Sequence, residues 1–194
     1  MPLLNIHGLR QSLVTRIATG IGGAIAVIVS TAYSIVAAIP SAEIPQFEPK
    51  APIAAGAWQV VPLRASIQVR RPDGNPMPQG TRALIVELDM TNQTASSRND
   101  FASVLAADPL GARMEGTPTF YLMRDKTILS TLHPNMTERV AAMWPLADNV
   151  AVPEHVRLTI TAKTYKPRDN LYGAPGWFKA TKVAAVTLPV AGSN

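Results

Sequence analysis

Cysteine is absent from all 194 residues, which removes disulfides, thiolate metal sites and cysteine nucleophiles in one step. A domain exported without disulfides must be held by its core alone, and this points to a bacterial envelope rather than a eukaryotic secretory pathway. Aromatic residues are scarce at 6% against 47% hydrophobic overall, so the expected core is small and aliphatic. No nucleophile elbow or phosphate-binding glycine loop is visible, and Gly20 to Gly23 lie inside an apolar run. The three histidines, His7, His133 and His155, stand apart from one another and from carboxylate pairs, unlike metal ligands. The sequence therefore assigns no catalytic, cofactor or metal residue, and the chain is expected not to be an enzyme. A hydrolase whose site converges from distant strands is the exception left open.

Acidic residues are absent before Glu43. The formal charge of +5 and the isoelectric point near 9.8 raise nucleic acid as a partner, but the distribution argues against it. Beyond the first 16 residues, 16 basic side chains are scattered among 13 acids, as on a solvated surface rather than a basic stripe. No small-molecule substrate is indicated either.

One long hydrophobic run is present. Residues 17–39, IATGIGGAIAVIVSTAYSIVAAI, carry no charge and as a helix measure about 35 Å, enough to cross a hydrocarbon layer of about 30 Å. A cleavable signal has a shorter apolar region, although Val36-Ala37-Ala38 resembles a cleavage site. Arg10 and Arg16 precede the run and no basic residue follows it until Lys50, so the first 16 residues are expected in the cytoplasm and the rest outside. Every fourth position, Ala18, Gly22, Ala26, Ser30, Ser34 and Ala38, is small. Such a row lets another backbone approach closely, so this face is expected to pack against a helix of an integral membrane protein, with membrane lipid around the remainder. The alternative is a lone anchor surrounded by lipid.

Pro40, Pro45, Pro49 and Pro52 follow, and residues 40–57 read as an extended tether. From Trp58 the hydrophobic period becomes two. Leu84, Val86, Leu88 and Met90 alternate with Glu87 and Asp89, with Ile85 out of pattern on the expected wet face; Val156, Leu158, Ile160 and Ala162 alternate with Arg157, Thr159, Thr161 and Lys163. Further strands are expected at Trp58–Leu63, Ser66–Arg70, Thr119–Arg124, Thr127–Leu132, Glu138–Trp144 and Lys182–Val190, separated by turn residues such as Pro72-Asp73-Gly74-Asn75. Residues 58–194 are thus read as an extracytoplasmic sandwich of two antiparallel sheets.

The strand GTRALIVELDMTN at 80–92, the turn Leu132-His133-Pro134 and the strand ending Met143-Trp144-Pro145 together resemble the telokin-like, immunoglobulin-like domains of bacterial membrane-anchored or lipid-anchored envelope proteins. The resemblance covers about residues 60–190. Asn135 stands where those domains usually carry Gly, and Asn also accepts the left-handed conformation. What the resemblance implies is a mainly β, immunoglobulin-like sandwich behind a single membrane helix, without established enzyme activity.

The densest feature outside the expected core is TYKPRDNLYGAPGWFKATK at 164–182. Tyr165, Arg168, Tyr172, Trp177 and Phe178 form a candidate partner-binding loop, since aromatics and Arg dominate binding hot spots. Folding back on the core, or stacking on sugar, are the alternatives. Asn92-Gln93-Thr94 and Asn135-Met136-Thr137 match the glycosylation acceptor pattern. The functional expectation is a non-catalytic accessory subunit of a larger bacterial inner-membrane complex for transport, secretion or bioenergetics. The alternative is an anchored module that binds polysaccharide or peptidoglycan.

Overall fold

The computed structural model describes residues 43–107, 117–171 and 173–192. The chain forms two units, Met1–Glu43 and Ile44–Asn194, and the second carries the fold. The expected cytoplasmic tail, the membrane helix at 17–39 and its row Ala18, Gly22, Ala26, Ser30, Ser34 and Ala38 lie outside the described residues. Among the described residues no helix is long and apolar enough to cross a membrane.

The second unit is a mainly β, sandwich-like domain. Its strands are β1 (Gln46–Phe47), β2 (Ile53–Ala55), β3 (Trp58–Gln68), β4 (Thr81–Asn92), β5 (Leu105–Ala107), β6 (Thr119–Leu122), β7 (Thr127–Ile128), β8 (Thr137–Ala147), β9 (His155–Lys166) and β10 (Gly176–Ala191). A 3-10 turn at Asp100–Ser103 leads into β5. One sheet runs β1-β10-β9-β5 and the other carries β2 beside β3-β4-β8-β6-β7. The end of β10 joins them by pairing parallel with β3, Val190 opposite Ala65 and Ala191 opposite Ser66. β1 is also parallel to β10, so the sheets are not purely antiparallel as expected.

Alternation places the core between the sheets. Leu84, Val86, Leu88 and Met90 of β4 meet Leu158 and Ile160 of β9 and Val186 and Leu188 of β10, all fully buried. Trp58, Phe101 and Phe120 fill one end with edge-on ring contacts at 6.1 and 5.0 Å, the favoured geometry for aromatic pairs.

Four expectations are corrected. First, residues 44–57 of the expected tether are part of the domain. The Ala185 amide donates to the Pro45 carbonyl at 2.8 Å, β2 pairs with β3, and Ile53, Ala55 and Ala57 are buried. Pro49 and Pro52 lie between β1 and β2, where no ladder amide is required of them. Second, Trp58–Leu63 and Ser66–Arg70 are one strand. β3 passes through Pro62 because the pairing with β4 shifts register between Pro62 and Arg64, and such irregularities admit a residue without an N–H. Third, Thr127–Leu132 shortens to Thr127–Ile128, while β10 starts six residues before the expected Lys182. Fourth, Ile85 is 3% exposed. It belongs to a second apolar cluster on the outer face of the β4-β8-β6 sheet with Ala83, Tyr121, Ala141 and Met143, flanked by Met77 and Met123. Farther along the same face the pattern turns ionic, with Arg64 bonded to Glu87 at 2.7 Å and Arg139 to Asp89 at 2.9 Å.

Candidate functional site

The aromatic segment is a hairpin. β9 runs on to Lys166 and β10 begins at Gly176, with Tyr165 opposite Trp177 and Thr164 opposite Phe178. Register shifts between Phe178 and Thr181, and between Lys182 and Ala184, bend β10 at its base; Lys179 there takes the left-handed conformation, φ 51°. Bulges of this kind increase local twist and re-aim side chains. Asp169 organises the turn: its carboxylate accepts from the Leu171 amide, and its own amide donates to the Ala174 carbonyl at 2.9 Å.

Three distant parts of the sequence converge at the hairpin's base. The loop after β4 is set by Asn92, which is fully buried. Its side-chain amide donates to the carbonyls of Ser96 and Leu132 at 2.8 and 3.0 Å, and its oxygen accepts from the amide and hydroxyl of Thr94. With every donor and acceptor engaged, this Asn is a structural clamp, and Asn92-Gln93-Thr94 is not available for glycosylation. The loop delivers Arg98, whose guanidinium forks onto Asp100 at 2.9 and 2.7 Å and lies 5.6 Å from the ring centre of Trp177. Lys163 of β9 approaches Asp100 at 3.5 Å. The Arg98 hydrogen bonds hold the Asp100 carboxyl below the ordinary carboxylate range; the charges of Arg98 and Lys163 add to this, while partial burial opposes it.

Gly56 closes the base from the third direction. It has φ +71°, and a Cβ there would sit 2.3 Å from the Lys163 carbonyl oxygen and 3.2 Å from the Trp177 ring. Only glycine permits this approach of the β2-β3 turn to the hairpin. Beneath Trp177 a cavity of ≈ 10 Å³ touches Trp58, Asp100, Ser103 and Thr161. Above it an open groove of ≈ 570 Å³ runs between Thr94, Ser96, Arg98, Tyr165, Pro175 and Trp177.

The five expected loop residues therefore separate. Trp177 is half-buried against the core and its ring stands 5.3 Å from that of Tyr165, tilted by 55°. Tyr165 remains 51% exposed. Folding back and presenting a surface are thus divided between two paired residues. Phe178 lies beneath Lys166, 5.8 Å from its ammonium, and against Gly176, where a Cβ would come within 2.7 Å of the ring. Arg168 is at the tip beside Leu171 and Gly173. Tyr172 lies outside the described residues. Arg98, Asp100, Lys163 and Gly56 were missed from sequence; they read as a polar loop, an alternating strand and a tether glycine, and only the fold brings them together.

His133 shares a 2.9 Å hydrogen bond with Ser97; both are exposed, and the bond ties two surface loops. Among the described residues no group of three or more His, Asp or Glu side chains is placed to hold a metal ion. The arrangement suits binding: a rigid aromatic pair, a guanidinium pre-oriented by a carboxylate, and an open groove.

No family model matches the chain, and no curated protein matches it. Among solved structures it is similar to an uncharacterized β-sandwich protein from Clostridium difficile 630, at 13% identity and a TM-score of 0.47, with 76% of this chain and 97% of that one covered.

Proposed function

We propose that this chain is a non-catalytic accessory subunit of a bacterial inner-membrane complex. In this reading residues 17–39 anchor it with the N-terminus in the cytoplasm, and the small-residue row packs on a partner helix. The sandwich docks outside, and its partner contact is the groove between the 93–98 loop and the β9-β10 hairpin. The observation that carries the reading is the half-exposed Tyr165 in tilted ring contact with Trp177 beside Arg98. Tyr, Trp and Arg at the centre of a concave surface are the residue types that dominate interface energies. The strand order supports the finer reading of a telokin-like, immunoglobulin-like sandwich, in which β3-β4-β8-β6 would be the ABED sheet and β5-β9-β10 the CFG sheet.

Purification of the full chain in mild detergent tests this. The expected result is a stoichiometric complex with integral membrane proteins, from which Tyr165→Ala dissociates with a roughly tenfold or greater loss of affinity, while the thermal midpoint of the isolated chain stays unchanged. A monomer that binds purified cell-wall polysaccharide would replace this reading with the anchored carbohydrate module.

A further inference from the structure

We propose that what enters the groove is a short, uncharged, extended peptide segment of the partner, which adds as a strand to the free edge of β9 at Tyr165; this rests on the reading of that groove as the docking contact. Along a strand, the main-chain groups of successive residues point alternately to the two neighbouring strands. The Thr161 amide donates to the Val104 carbonyl at 2.8 Å, on the β5 side. Tyr165 lies four residues farther on, so its amide and carbonyl point to that same side. β9 keeps its alternation over this stretch, because the extra residue of the shift falls on β10, where Phe178 and Thr181 stand opposite Thr164 and Ala162. β5 pairs with β9 from Leu158 to Ile160, and the Lys163 carbonyl is closely approached by Gly56. Among the described residues no strand pairs with β9 at Tyr165 on this side.

The other edge of the hairpin is guarded against such an addition. There β10 is bulged twice, holds Lys179 in the left-handed conformation, and carries exposed Lys179 and Lys182. Bulges and lysines of this kind disrupt the pairing of an edge strand. On the β9 side the groove opens against Tyr165 instead, and its facing residues from Gln93 to Ser96 are uncharged. The charge of Arg98 is already matched by Asp100 at 2.7 Å, so an uncharged segment enters without leaving an ion unpaired. The residue set opposite Tyr165 places its side chain on the same face, beside the Tyr165 and Trp177 rings, where an apolar one packs. Main-chain bonds to Tyr165 fix the register of the segment, and the rings supply its affinity.

Amide exchange resolved to single residues tests this on the full chain, first as a detergent-dispersed monomer and then in the complex purified in mild detergent. In the monomer the Tyr165 amide should exchange roughly tenfold or more faster than that of Thr164, which points to β10. In the complex the Tyr165 amide should slow by roughly tenfold or more. Replacing Tyr165 by its α-hydroxy acid analogue removes the N–H and keeps the ring. The complex should then dissociate roughly fivefold faster, while the thermal midpoint of the monomer stays unchanged. A Tyr165 amide as slow as that of Thr164 in the monomer, or a lowered midpoint of the monomer with the analogue, would show that the edge is already paired and overturn the proposal. Slowing in the complex across 93–98 and the hairpin with a Tyr165 amide still fast would refute strand addition and leave the docking reading standing. No slowing at any of these positions would refute both. Protection of the Tyr165 amide by purified cell-wall polysaccharide alone would put a sugar in the groove and overturn the peptide.

Discussion

The two ends of the sandwich are each closed by a hairpin, and they are built on opposite principles. At the β3-β4 end the turn satisfies itself: Arg71 and Asn75 close the ladder at 2.8 Å, the Gly74 amide returns to the Arg71 carbonyl, Asp73 accepts from the Asn75 amide, and Arg70 reaches the Gly74 carbonyl. Gly74 has φ +85° with open space where a Cβ would go. At the β9-β10 end the turn extends beyond the sheet, the strand is bulged, and the supports come from elsewhere in the chain, through Gly56, Asn92, Arg98 and Asp100. A self-contained turn needs no partner. A projecting one that is braced by two other segments and still leaves Tyr165 and Leu171 exposed is the end that the proposed reading assigns to a partner.

The sharpest way to break the comparison is to remove the brace. Gly56→Ala forces a Cβ into the Lys163 carbonyl and adds left-handed strain, and should lower unfolding free energy by about 3 kcal/mol. Gly74→Ala has the strain without the collision, and should cost about 1 kcal/mol. Urea denaturation of the pair measures the contrast, and equal losses would mean that Gly56 does not brace the hairpin. Asn92→Ala removes four hydrogen bonds from a buried site and should cost about 2–3 kcal/mol, with the 93–98 loop becoming protease-sensitive before the β3-β4 turn.

The smallest effect concerns pH. Because the folded Asp100 pKa lies below its unfolded value, the stabilisation from its pairing is present above the unfolded carboxylate range and lost as pH falls through the folded pKa. The pair is partly exposed, so its worth is about 0.5 kcal/mol. Asp100→Asn should remove that contribution near neutral pH and flatten the acid limb of the stability curve below about pH 4. An unchanged acid limb would show that Arg98 is held over Trp177 by something other than this carboxylate.

How much of this was legible in the sequence depended on whether the signal was local. The period-two alternation in β4 and β9 was readable because burial on one face repeats along the strand itself. Ile85 was misread because the apolar patch on the outer face is assembled across strands, with Ala83 and Ile85 contributing from β4 and Ala141 and Met143 from β8, and no single strand carries enough of it to show. The prolines of 40–57 read as a spacer because proline content reports a lack of regular ladder, not a lack of contact; Ile53 and Ala55, the residues that bury, were the weaker signal. Tyr165 and Trp177 were identified from composition, but their partner Arg98 sits 67 residues before Tyr165 in the chain. Its role depends on the Asn92 clamp, whose hydrogen bonds leave no trace in the residue pattern.

The central claim is that the molecule docks by its β9-β10 end. Amide hydrogen exchange of the full chain in its native membrane, set against the same chain dispersed as a monomer in detergent, tests it most directly. The account predicts slower exchange in the membrane at 93–98 and along the 164–178 hairpin, with no change at 69–80. Slowing confined to 69–80, or identical exchange in both states, would contradict it.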